Sequence, residues 1–348
     1  MSTLLSLPML SLHEIPDHLV PGEPRLGAAA VPVPPARIAA LHSTGSVLLG
    51  RRPEDRHLIE FRASVLAETR SLLQVPDGHA LAVVAATPAE LCQATAAQPW
   101  AAGLDVAGSG PVAEAWRTAA AGPRRADAPP PLAVVAREEP RWRERLDAAP
   151  EGTWLAAELS GTADVLTGAG PDRADVAFLC PSGLLGVGVG LTVAVLSPRA
   201  SAVSPGLTRV LDSAGRAVGA GDLIMFAHAV RALAESDTAR AAAERAARRA
   251  LVVDWAATRD WIVPPVPGGG GELTIRLATS LAPRVVAATG RFLETNHLAY
   301  GLTDPADPRA FGIGLYDALH TTDLERLLGL LDFVVERLAQ TTDHGEEG

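Results

Sequence analysis

The chain has no lysine. Its 348 residues carry 30 side chains of the Lys/Arg class, and every one of them is an arginine. No side-chain amine is therefore available for a Schiff base, a phosphate-loop lysine or a lysine general base, and a guanidinium, which stays protonated, cannot stand in. Cysteine is nearly as scarce. Cys92 and Cys180 are the only two, and both lie in apolar stretches. That excludes a secreted disulfide framework, makes a reducing cytoplasm the expected compartment, and reads both thiols first as small buried hydrophobes.

Other absences narrow the function further. Excess positive charge is missing: the formal net charge is -10, which argues against a nucleic-acid surface. The opening "MSTLLSLPMLSLHEIPDH" has no basic n-region and no clear cleavage site, so no secretory leader is expected. None of the nine histidines falls at i, i+4 from another with a carboxylate in a helical metal pattern. "PSGLLG" is not the G-x-S-x-G of a nucleophile elbow, and "GVGVG" does not meet the G-x-G-x-x-G spacing of a dinucleotide site.

What is present is a globular composition, 48% hydrophobic, with enough chain for a large core and a smaller one. Short, mainly apolar runs without polar alternation, "ALAVVAA", "PLAVVA", "TWLAAE", "DVAFL" and "LTVAVL", recur between Ala-rich or polar segments. Such runs predict strands covered on both faces, hence an α/β protein with a mostly parallel sheet and helices on both sides. "LIEFRASVLAETRSLLQVPDG" predicts a helix stopped by Pro-Asp-Gly. The Arg-rich run from Glu235 predicts a helix whose arginines form a solvated face. "AGPRRADAPPP" (121–131) reads as a surface loop.

Residues 1–30 read as an N-terminal arm, 31–264 as the large α/β domain and 265–348 as a small α+β domain. The last helix presents Leu324, Leu327, Leu328, Leu331, Val335 and Leu338 on one face, with Thr322 and Glu325 at capping-box spacing.

The stretch "DVAFLCPSGLLGVGVGLTVAVLSP" (175–198) nearly has the length and apolarity of a membrane span. Pro181 and the glycines at 183, 186, 188 and 190 break it, so two strands around a glycine-rich turn are expected and no membrane association.

The same stretch resembles the segment of class V aminotransferases, phosphoserine aminotransferases in particular, where a strand ending Pro-Gln-Lys and a glycine-rich turn lead to a strand ending Ser-Pro. "ETRSLLQVPDGHALAVV" and "LHTTDLERLLGLLDFVVERL" resemble the family's helix-turn-strand and its C-terminal helix, so the likeness spans roughly residues 31–338. It implies the aminotransferase fold, and a set of altered working positions. The lysine that holds pyridoxal phosphate falls on Gly183, after Pro181 and Ser182. The phosphate cradle falls on Thr87, Pro88, Ala89 and Glu90, where a proline removes a donor and a glutamate opposes phosphate. The aspartate paired with the pyridine nitrogen falls on Ala157, with Glu158 one residue along and so on the other strand face. The arginine that grips substrate carboxylate falls on Gly312, with Arg309 nearby. The His-Arg pair after the first helix is replaced by Arg51, Arg52, Arg56 and His57.

From this the expected cofactor is none, with covalent pyridoxal phosphate excluded by the missing lysine. The expected protein is a non-catalytic partner, regulator or small-molecule binder, not a lysine-dependent transaminase. It is expected to dimerise with itself or with an aminotransferase-fold paralogue. The alternative is a repurposed, cofactor-independent transferase or lyase using Glu158, Ser160, Cys180 and Ser182; an orthodox phosphoserine aminotransferase is disfavoured.

Overall fold

The structure, a computed structural model, describes residues 10–27, 33–108, 111–120, 129–136, 139, 141–160, 172–181, 190–263, 265, 272–303, 307–316 and 319–343. Two compact units are formed. One is contiguous but for a short piece, residues 33–242 with 268–271; the other combines residues 1–32, 243–267 and 272–348.

The contiguous unit is built on six strands, β1 (Ala80–Ala85), β2 (Asp105–Ala107), β3 (Leu132–Val135), β4 (Leu155–Glu158), β5 (Val176–Leu179) and β6 (Leu191–Leu196), in the order β1-β6-β5-β4-β3-β2. β2 to β5 pair in parallel and β6 runs antiparallel to both its neighbours, so five strands share one direction. The mainly apolar runs have a simple cause. Successive residues point to opposite faces, and each face is a separate core. Val134, Leu155, Ala157, Ala177, Leu179, Val193 and Val195 pack with Val65 and Leu73 of the α2 (Arg56–Leu72) region and with Phe226 and Val230 of α8 (Ala220–Ala234). Ala133, Val135, Ala156, Val176, Phe178, Ala194 and Leu196 pack with Leu91 of α3 (Pro88–Ala96), Trp116 of α4 (Pro111–Ala119) and Leu207 and Leu211 of α7 (Pro205–Arg216).

α2 starts at Asp55, whose carboxylate accepts the His57 N–H at 2.9 Å, and it buries Leu58, Val65 and Thr69 along one stripe. The expected Pro-Asp-Gly stop is present, with Gly78 at φ +82, a left-handed conformation that favours glycine. The apolar stretch of 175–198 forms β5 and β6, paired antiparallel with Phe178 opposite Ala194; its residues 182–189 lie outside the described residues. No single helix among the described residues is long and apolar enough to cross a membrane. Most of the expected loop at 121–131, residues 121–128, also lies outside the described residues.

The second unit has the antiparallel order β7 (Ile262–Val263), β8 (Glu272–Leu277), β9 (Ala310–Gly314). α9 (Thr238–Ala257), α10 (Pro283–Thr295) and α11 (Thr321–Asp343) contribute to its core, and Leu324, Leu327, Leu328, Leu331 and Leu338 of α11 are buried in it. The structure differs from the sequence-based expectations at four points here. Residues 10–27 are no free arm: Gly27 bridges Ile313, the Gly314 N–H donates to the Leu26 carbonyl at 2.8 Å, and Asp323 accepts the Gly22 N–H at 2.7 Å. The units divide at 242/243 rather than 264/265, because Val252, Trp255 and Ala256 of α9 pack into this core. The arginines of α9 are not all solvated either. Arg245 and Arg248 are 8% and 4% exposed, on the helix face that carries Val252, and Arg248 donates to the Tyr316 carbonyl. Thr322 lies inside the first turn of α11 rather than at its cap.

At the N-terminal edge of the parallel strands Asp175 is 8% exposed. Its carboxylate accepts the Leu155 N–H at 3.1 Å and the Ser197 hydroxyl at 2.9 Å, and Arg199 stands 3.8 Å away. Removing a buried acceptor strands its donors. Asp175→Ala should lower the unfolding free energy by about 2–3 kcal/mol, with a smaller loss for Asp175→Asn, checked by urea denaturation. α2 and α8 are also joined by Glu68 and Arg231, with two contacts of 2.8 Å. The Arg231 guanidinium holds the Glu68 carboxyl below its ordinary value. A depressed carboxylate stabilises above its unfolded-state pKa and loses that contribution as pH falls through the folded-state value. Glu68→Gln should therefore cost no more than about 1 kcal/mol at neutral pH, and the difference from wild type should vanish in acid denaturation series below the carboxylate range.

Candidate functional site

In open α/β sheets ligands gather beyond the carboxyl ends of the parallel strands. In this chain that edge carries Thr87 and Glu90 after β1, Glu158 and Ser160 at the end of β4, and Cys180 after β5.

Glu158 is 1% exposed and occupies the last position of β4, in register with Val135 and Phe178. Its Oε1 accepts the Ser160 N–H at 3.0 Å. The Ser160 hydroxyl in turn accepts the Cys180 N–H at 2.7 Å, while the Leu159 N–H reaches the Phe178 carbonyl at 2.7 Å. A carboxylate, a hydroxyl and a half-buried thiol thus share one strand exit, tied by backbone amides. Ala157 is 1% exposed and turned to the opposite face of β4, into the core with α2 and α8. Of the candidates, Glu158, Ser160 and Cys180 come together; Ser182 and Gly183 lie outside the described residues.

The four residues Thr87, Pro88, Ala89 and Glu90 form the start of α3, and their geometry is a closed capping box. Thr87 is the N-cap, with its hydroxyl accepting the Glu90 N–H at 3.3 Å, and Glu90 Oε2 accepts the Thr87 N–H at 2.7 Å and the Thr87 hydroxyl at 2.9 Å. These bonds, the backbone one foremost, hold the Glu90 carboxyl below its ordinary value. A helix N-terminus attracts anions through its free N–H groups. Here the chain supplies its own anion, and Pro88 has no N–H to give, so these four residues do not fit a phosphate. The signal is in the sequence: T-x-x-E before an apolar run is the capping-box pattern.

Gly312 lies in β9 of the other unit, where its N–H donates to the Leu302 carbonyl at 2.7 Å and it pairs with Thr274. The nearby Arg309 donates to the carbonyls of Ala278 at 2.6 Å and Leu281 at 3.0 Å, which makes it a loop anchor. Of the basic residues after the first helix, Arg51 pairs with Asp55 at 2.8 Å and Arg56 with Glu60 at 2.7 Å. Their charge is answered within the same stretch of chain. Among the described residues no group of three or more His, Cys, Asp or Glu side chains is placed to hold a metal.

No protein-family model matches the chain, and no curated protein sequence matches it. Solved structures do. A phosphoserine aminotransferase from Trichomonas vaginalis, solved with pyridoxal phosphate bound, aligns with a TM-score of 0.64 at 13% identity over 90% of this chain and 99% of that one. An alanine–glyoxylate aminotransferase from Nostoc sp. gives 0.64 at 16% identity over 94% and 97%. Pyridoxamine–pyruvate aminotransferase from Mesorhizobium loti gives 0.66 at 15% identity over 95% and 99%. The chain therefore has the aminotransferase fold, along nearly its whole length.

This comparison corrects one expectation. No cofactor, and an exclusion of covalent pyridoxal phosphate, were inferred from the missing lysine; yet the fold is one solved with pyridoxal phosphate in place. An inventory of side chains does not say what such a fold holds. The capping box carries its own prediction: Thr87→Ala should lower stability by about 1 kcal/mol, read as a shift of the urea midpoint at unchanged slope.

Proposed function

We propose that this chain is a non-catalytic member of the aminotransferase fold, a partner, regulator or small-molecule binder that does not transaminate. The observation that carries the reading is the absence of lysine from all 348 residues. Transamination requires a base that moves a proton between the substrate carbon and the cofactor, and in the family this chain resembles that base is the lysine whose position falls on Gly183. An arginine stays protonated and cannot replace it. Two further features support the reading. The Glu90 carboxylate accepts the Thr87 N–H and the Thr87 hydroxyl takes the Glu90 N–H, and Gly312 offers no side chain to a substrate carboxylate.

We further propose that the protein works as a dimer, with itself or with a lysine-bearing paralogue of the same fold, and in the cytoplasm. The compartment is supported by the scarcity of cysteine, two in 348 residues, with neither Cys92 nor Cys180 in a disulfide. A second reading, a repurposed transferase or lyase, is favoured by the convergence of Glu158, Ser160 and Cys180 at one strand exit.

The test is a transamination assay. The purified full chain is incubated with pyridoxal phosphate, a panel of amino donors and a 2-oxo acid acceptor, and new amino acid is measured. The expected result is a rate no higher than that of free pyridoxal phosphate. Enzyme-dependent turnover that saturates with donor would overturn the proposal.

A further inference from the structure

A cavity of about 490 Å³ opens in the C-terminal unit, bounded by the end of α9, the start of β7 and the outer half of α11. That volume is within the range of small-molecule sites. Its apolar wall is made by Trp261, Leu281 and Val335. The Trp261 ring packs against Trp255 in a T-shaped pair, with centroids 5.7 Å apart and planes at 79°.

The charge around the cavity is unequal. Arg259 is the one guanidinium in the lining, and it is occupied. It faces Asp332 with both arms, at 2.9 Å and 2.5 Å, and also donates to the Trp255 carbonyl and the Thr258 hydroxyl. The Trp255 indole N–H donates to the same carboxylate at 3.0 Å. Asp332 and Arg259 thus neutralise each other and close one side of the cavity. Two carboxylates remain on the rim, Asp260 and Glu336, both exposed; Glu336 accepts the Gln340 amide at 3.1 Å, a neutral partner.

We propose that this cavity binds a small organic cation of the alkylammonium class. An indole ring attracts ammonium groups, more strongly as they leave water. The two rim carboxylates supply the matching charge, and the apolar wall receives the alkyl substituents. An anion meets two unanswered negative charges there. This inference goes beyond the function proposed above and does not depend on whether the chain transaminates.

The probe is benzyltrimethylammonium, titrated into the full chain at low salt by isothermal calorimetry. Benzoate and the uncharged 3,3-dimethylbutanol are run in parallel. Saturable binding of one equivalent of the cation alone is expected. Affinity should fall about tenfold in Trp261→Leu, and by a similar factor in the double variant Asp260→Asn, Glu336→Gln. The double variant changes two exposed side chains, so it keeps the test valid if the tryptophan variant does not fold, and circular dichroism checks both. The proposal is overturned if the cation does not saturate, if folded variants bind it as the wild type does, or if benzoate binds equally well.

Discussion

The buried carboxylate of Asp175 joins the three strands on which the large sheet turns. β4 and β5 run together, β6 runs against them, and Asp175 meets all three at one edge: it belongs to the segment entering β5, accepts the first amide of β4 and accepts the hydroxyl that follows β6. Ser197, which donates that hydroxyl, also accepts the Ala200 N–H and so caps the next helix. An acid buried this deeply is tolerable only while its donors stay in place. The register of the strands is therefore constrained from the edge opposite the candidate site, and a slip of one residue would exchange the two cores as well as strand the carboxylate.

The candidate site is the other end of the same strands. Where Asp175 fastens their start, Glu158 and Ser160 fasten the exit of β4 to that of β5 through the Ser160 and Cys180 amides. The polar groups there have a structural task already: the Glu158 carboxylate, 1% exposed, accepts the Ser160 amide, and the Ser160 hydroxyl accepts the Cys180 amide. Any chemistry at this edge has to be done by groups that also hold strands in register. The comparisons establish the architecture that brings these residues together; what the edge does follows from its own side chains.

Much of this architecture was legible in the sequence. The short, mainly apolar runs form strands with cover on both faces, and the stretch that had nearly the length and apolarity of a membrane span contains β5 and β6, paired antiparallel. Less was legible where a residue's role depends on a partner far along the chain. Arg245 and Arg248 look like any solvated helical arginine until the face they share with Val252 is seen to be the buried one. β2 is three residues long, too short to show a period. The boundary at 242/243 falls inside a continuous helix, where composition does not change. At Thr87 to Glu90 the information is local: a threonine and a glutamate three residues apart, ahead of an apolar run, close on each other as a capping box.

Gly27 approaches the backbone of Gly301 so closely that a Cβ would stand 2.1 Å from its carbonyl carbon and oxygen. The segment that contains it belongs to a unit completed by residues 243–348. During synthesis, residues 33–242 can emerge and pack as one contiguous body, since their cores draw on no other part of the chain. Residues 22–27 take their partners from Tyr300, Ile313, Gly314 and Asp323, some three hundred residues further along the chain, so this segment is held only once the small sheet and its last helix exist.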